Sequence, residues 1–99
     1  MDYGLAGRTA IVTGATGDMG RACAAALARE GARVAIFART AETVERTAAE
    51  IGAETGAEML GIAGDLRQRA DVARLLDTVQ TRFGAPDVLV MSTGRPPRH

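Results

Sequence analysis

Thr9-Ala10-Ile11-Val12-Thr13-Gly14-Ala15-Thr16-Gly17-Asp18-Met19-Gly20 runs from an apolar segment through three spaced glycines into the alanine-rich stretch 21–30. Thr9 to Val12 has the continuous, β-branched character of a strand buried on both faces, and Arg21 to Glu30 is rich in strong helix formers. The order is therefore strand, glycine turn, helix. Such a turn lets a bulky anion approach the backbone, and the helix behind it aims unpaired N–H groups and a positive dipole end at that anion. A pyrophosphate fits this description. An ordinary tight turn built of small residues is the alternative, because glycine spacing counts only in its strand and helix context.

Outward from this stretch the pattern repeats. Gly31 follows the first helix, and Arg33 to Phe37 reads as a second strand ending at Ala38-Arg39-Thr40. Thr40 is a candidate N-cap for a helix from Ala41 to Glu54 that places Val44, Ala48 and Ile51 on one side, with Gly56 as its stop. Met59, Leu60 and Ile62 suggest a third strand interrupted by Gly61, and Gly64-Asp65-Leu66 follows as a loop. Val72, Leu75, Leu76, Val79 and Phe83 recur at helical spacing over 70–83, and Asp87 to Met91 forms a fourth apolar run. Strand and helix alternate throughout. That predicts an α/β fold with a parallel sheet joined by right-handed crossovers.

Composition narrows the function classes. With 99 residues, 46% of them hydrophobic, and no net formal charge, the chain reads as one globular domain without a basic stripe for nucleic acid. No apolar run reaches membrane-spanning length and the start lacks a signal-peptide pattern, so a cytoplasmic location is expected. Cys23 is the only cysteine and sits among alanines as a small core residue, which excludes a disulfide framework and offers no metal site. All twelve basic residues are arginine, the only tyrosine is Tyr3, and the only histidine is His99. The chain thus offers few groups able to act as a general base near neutral pH.

In these landmarks the sequence resembles the short-chain dehydrogenase/reductase family over essentially its whole length. Gly7 to Gly14 is similar to that family's opening strand and first glycine, Ala38-Arg39 to the cofactor-selecting end of its second strand, and Asp65-Leu66 to its adenine-holding acidic residue and neighbour. Asp87-Val88-Leu89-Val90 leads to Gly94, where the family usually shows Asn-Asn-Ala-Gly; here the segment is Met91-Ser92-Thr93-Gly94, and only the glycine transfers. Asp18 replaces a glycine of the common pattern, giving a Thr-Gly-x-x-Gly-x-x-Gly spacing; it is expected to face solvent or cap the helix.

The resemblance implies a nicotinamide dinucleotide held by Gly14, Thr16, Gly17 and Gly20 at its pyrophosphate and by Asp65 and Leu66 at its adenine. Gly94, Val90 and Met91 would border the nicotinamide ribose. Arg39 would meet a 2′-phosphate: with Ala38 in place of the usual ribose-binding carboxylate, NADP is expected over NAD. For Asp65 the plain alternative is a turn aspartate, and for Arg39 a solvated surface arginine. The family's catalytic serine and Tyr-x-x-x-Lys pair have no counterpart, since Ser92 and Tyr3 fall at the wrong places, so no catalytic residue is assigned. The resemblance further implies a Rossmann-type doubly wound parallel sheet, truncated after about four strands and three helices, with strand order 3-2-1-4 and the ligand crevice between strands one and four. The 99 residues are expected to be the amino-terminal part of a single NAD(P)-binding domain, its catalytic half absent. The parent would be a homo-oligomeric oxidoreductase acting on a small alcohol or carbonyl substrate. A non-catalytic dinucleotide-binding or sensing module is the alternative.

Overall fold

Val34, Ala35, Ile36 and Phe37 carry no polar side chain on either face, and the strand they form is buried on both. In a computed structural model of the chain, which describes residues 4–14 and 17–91, this strand is one of four in a parallel sheet. The elements are β1 (Thr9–Thr13), α1 (Asp18–Arg29), β2 (Arg33–Ala38), α2 (Ala41–Thr55), β3 (Met59–Ala63), α3 (Arg69–Arg82) and β4 (Val88–Met91). The sheet order is β3-β2-β1-β4, as the family resemblance implies, and its strands are parallel, as the alternation of elements predicts. Register aligns Thr13 with Phe37 and with Met91, and Ala38 with Ala63, so the carboxyl ends of all four strands finish along one edge.

Alternation along the strands divides the core. Ala10, Val12, Val34 and Ile36 face α1 and α2, whereas Ile11, Ala35, Phe37 and Ile62 face α3. The sheet is therefore wound on both faces. The first helix buries only Gly20, Ala24, Ala25 and Ala28, small residues that let it lie close to the sheet. Val44, Ala48 and Ile51 turn inward from α2 together with Thr47, whose hydroxyl donates to the Thr43 carbonyl at 2.9 Å. Each fully buried Ile, Val or Phe here contributes about 2 kcal/mol by leaving water, and Phe37, Ile11, Ile36 and Ile51 are the largest of them.

Several local expectations shift. The first helix starts at Asp18, not Arg21: the extended Gly17 is its N-cap, Met19 is a good helix former, and Gly20 is carried into the first turn despite its weak propensity. Asp18 is exposed in its first turn, as expected, and makes no side-chain capping bond. Thr40 occupies the N-cap of α2 without a side-chain hydrogen bond to the helix. Cys23 is half-buried rather than buried. On α3, Leu75 and Val79 reach the core while Leu76 stays 45% exposed, since a single helix on that face covers a narrow stripe.

Gly61 belongs to the strand for a steric reason. A Cβ at this position would lie 2.7 Å from the Val44 carbonyl oxygen and 3.0 Å from the Glu45 Cα, so the glycine is what lets α2 rest on β3.

Candidate functional site

The turn after β1 is set by Gly14, whose φ of 67° lies in the left-handed region that favours glycine. Its N–H donates to the Phe37 carbonyl at 2.9 Å and its carbonyl accepts the Gly17 N–H at 3.2 Å. The first bond of the new helix runs from Arg21 N–H to the Gly17 carbonyl at 2.9 Å. Hence the N–H groups of Asp18, Met19 and Gly20 precede every intrahelical acceptor, as first-turn donors must. Gly14 and Gly17 are thus joined at the amino end of α1, and Gly20 is buried in the helix's first turn. Thr16 and Gly94 lie outside the described residues.

Beside this turn, across the carboxyl ends of β1, β2 and β3, lies a cleft of about 550 Å³. Gly14, Phe37, Ala38 and Arg39 line one part of it, Thr40 and Thr43 of α2 another, and Gly64 to Arg67 the far wall. Phe37 ties the cleft to the core. Its side chain is fully buried, its carbonyl holds Gly14, and its ring lies so close to Gly64 that a Cβ there would sit 2.6 Å from Cζ. The Gly64 N–H in turn donates to the Ala38 carbonyl at 2.9 Å, which fastens the far wall to the end of β2.

The acidic and basic groups of the cleft are arranged unequally. Asp65 is half-buried, and its Oδ1 accepts the Arg67 backbone N–H at 2.9 Å and Nε at 3.2 Å, while Oδ2 accepts Nη2 at 3.1 Å. The Asp65 N–H donates to Asp71 Oδ2 at 2.9 Å, and Arg74 joins Asp71 to the end of β3 through the Ala63 carbonyl at 2.7 Å. Arg67's side-chain hydrogen bonds, then its backbone N–H, hold the Asp65 carboxyl below the usual carboxylate range, and the charges of Arg67 and Arg39 act in the same direction against desolvation. A depressed folded value means that the stabilising pair is fully formed above the unfolded aspartate range. It is lost as pH falls through the folded value.

Arg39 forms no ion pair among the described residues and is exposed at the end of β2. Ala38 beside it brings no carboxylate. Leu66 is 43% exposed on the cleft wall. Asp65, Leu66 and Arg39, expected at one site from the sequence, line one cleft together with Thr43 and Arg67, which the sequence does not single out; nor does it single out Asp71, which holds the Asp65 N–H from outside the cleft. The Asp-x-Arg spacing in a predicted loop was the available signal for Arg67, since an aspartate in a turn commonly accepts from the backbone N–H two residues on.

Residues 8–99 match the family model described as short chain dehydrogenase. The chain belongs to the short chain dehydrogenase family. It is 42% identical over 93 residues to a D-threitol dehydrogenase from Mycolicibacterium smegmatis, covering 94% of this chain and 35% of that protein. A sorbitol dehydrogenase from Cereibacter sphaeroides is 43% identical over 86 residues, covering 87% of this chain and 32% of the relative. Among solved structures, an L-sorbose reductase from Gluconobacter frateurii, complexed with NADPH and L-sorbose, superimposes with a TM-score of 0.92 at 29% identity over 100% of this chain and 38% of that one. The chain spans about a third of the length of these short chain dehydrogenases. Among the described residues no helix is long and apolar enough to cross a membrane, and no cluster of His, Cys, Asp or Glu could hold a metal ion.

Proposed function

We propose that this chain is the cofactor-binding part of an oxidoreductase that interconverts an alcohol and a carbonyl, with NADP favoured over NAD. The observation that carries the choice of cofactor is the end of β2: at the cleft wall beside Ala38, Arg39 makes no ion pair among the described residues. A guanidinium with no carboxylate partner offers a planar fork of donors to a phosphate, and the absence of a carboxylate at Ala38 removes the group that would bind two ribose hydroxyls and repel a 2′-phosphate. The cleft's ionised side chains, Arg39 and Arg67 against Asp65, leave an excess of positive charge for a phosphate-bearing ligand. NADPH is also the ligand of the L-sorbose reductase that this chain resembles in structure.

The residues present fit a dinucleotide. The left-handed Gly14 ends β1 where glycine is favoured, and the amino end of α1 beyond it, which starts at Asp18, would offer its first N–H groups to a pyrophosphate. Thr16, which lies outside the described residues, would add a hydroxyl donor there. Asp65 would accept the exocyclic amine of adenine, Leu66 would cover the ring, and Arg39 would hold the 2′-phosphate. The cofactor itself supplies the hydride chemistry. Gly94, with Val90 and Met91, would border the nicotinamide ribose beside the crevice between β1 and β4. The groups that move the proton are assigned outside these 99 residues, since the chain contains no lysine and its one tyrosine precedes β1. Polyols and their keto forms are the proposed substrate class, from the kinds of protein that the chain resembles.

The test uses the full-length gene product. Fluorescence titration with NADPH and NADH should show tighter binding of NADPH, and oxidation of sugar alcohols with NADP should yield NADPH at 340 nm. Tighter NADH binding would overturn the cofactor assignment. Binding without turnover on any alcohol or carbonyl would favour a sensing module instead.

A further inference from the structure

The far wall of the cleft holds a carboxylate that is fixed in direction, and the group that fixes it has so far no role. Asp65 sits on the loop between β3 and α3, where an aspartate free in solvent would turn about both side-chain torsions. Here three hydrogen bonds from one residue, Arg67, restrain it: the backbone N–H and Nε on Oδ1, and Nη2 on Oδ2. The two side-chain bonds form a guanidinium fork, which holds a carboxylate in the plane of the guanidinium. Two carboxylate oxygens offer about four acceptor positions. Arg67 takes both on Oδ1 and one on Oδ2, which leaves a single acceptor position, on Oδ2.

We infer that Arg67 is a positioning residue for base recognition: its fork presents the remaining acceptor of Asp65 to the exocyclic amine of adenine and so makes the cleft select adenine over a base with a carbonyl at that position. The inference rests on the dinucleotide reading above. An ionised carboxylate accepts and cannot donate, so an oxygen in place of the amine meets like partial charge at a group unable to turn away. Arg67 also keeps Asp65 in that ionised form, and Arg39 across the cleft adds to the effect. Arg67 is not required for folding on these grounds. Its side chain is 74% exposed, and exposed ion pairs add little to stability. Asp71 holds only the backbone N–H of Asp65, and Arg39 makes no ion pair with the Asp65 carboxylate among the described residues, so neither sets the carboxylate plane.

The experiment compares NADPH with its deaminated analogue, in which hypoxanthine replaces adenine, by titration of the full-length gene product and its Arg67→Ala, Arg67→Gln and Asp65→Ala variants. The wild type should prefer the adenine form by roughly tenfold, the scale of one hydrogen bond to a charged group. Asp65→Ala should abolish the preference, and both Arg67 variants should reduce it to roughly threefold or less, with the melting temperature of the cofactor-free protein unchanged. A wild-type preference retained in both Arg67 variants would overturn the inference while leaving the cofactor reading intact. So would an equal loss of affinity for both analogues, which would make Arg67 a phosphate contact acting by charge alone. A wild type that binds neither NADPH nor NADH would refute the dinucleotide reading, and this inference with it.

Discussion

Asp71, in the first turn of α3, accepts the backbone N–H of Asp65 at 2.9 Å and thereby joins a helix on one face of the sheet to the wall of the cleft at its edge. Arg74 completes the link by donating to both Asp71 and the Ala63 carbonyl. The position of Asp65 opposite Arg39 is therefore a property of where α3 starts.

Asp71→Ala removes this acceptor and should leave the Asp65 N–H to water. The expected result is a loss of about 1 kcal/mol in stability, the net worth of one such hydrogen bond, together with weaker NADPH binding by roughly threefold to tenfold. Urea denaturation and cofactor titration of the full-length protein measure the two effects. A change in stability with unaltered affinity would place Asp65 outside the binding site.

The double variant Ala38→Asp with Arg39→Ala should reverse the order of NADPH and NADH affinities. A carboxylate at the end of β2 would accept the ribose hydroxyls and repel the 2′-phosphate, and the fork that holds the phosphate would be gone. Fluorescence titration with both cofactors reads the reversal. An unchanged preference would show that selection resides elsewhere on the cleft.

Gly61→Ala should destabilise the protein by about 1–3 kcal/mol, the usual cost of forcing an extra carbon into a packed contact. The new Cβ would meet the Val44 carbonyl at 2.7 Å, and backbone cannot yield as the tip of a side chain can. Relief would require lifting α2 from β3. A shift of the urea midpoint without change in slope is the expected signature, and an unaltered midpoint would mean that the helix moves at no cost.

The 99 residues expressed alone should show no hydride transfer with NADPH and simple ketones, and should associate in solution. Val88 and Val90 of β4 pack toward α1 and α2, but Leu89 and Met91 point to the other face with 61% and 64% exposure. Among the described residues β4 pairs only with β1, so its outer edge also presents backbone groups to any strand that approaches. Light scattering should detect the association, and Leu89→Lys with Met91→Glu should reduce it. Clear turnover would contradict the first expectation, and a monodisperse, cooperatively melting monomer the second.

The sequence by itself determined the order of elements, because each is marked by short-range chemistry. Strands buried on both faces must be continuous apolar runs, α2 must repeat its apolar residues at helical spacing, and the turn after β1 needs a residue at home in the left-handed region, Gly14. That the strands run parallel followed from alternation and handedness, while their order β3-β2-β1-β4 followed from the family resemblance. What only the tertiary structure decided concerns groups whose neighbours come from elsewhere in the chain. The spacing of Asp65 and Arg67 is visible in the sequence, but their place beside Ala38 and Arg39 depends on the register of β3 against β2, which aligns Ala63 with Ala38. Gly61 is an interruption in a strand by sequence alone, and its reason is the backbone of α2 at Val44 and Glu45 that rests on it. Likewise Leu76 and Val79 share one apolar pattern, but only Val79 packs into the cluster with Ile11, Ala35, Phe37 and Ile62, while Leu76 stays exposed. Periodicity shows which residues could be buried; packing against a specific partner selects those that are.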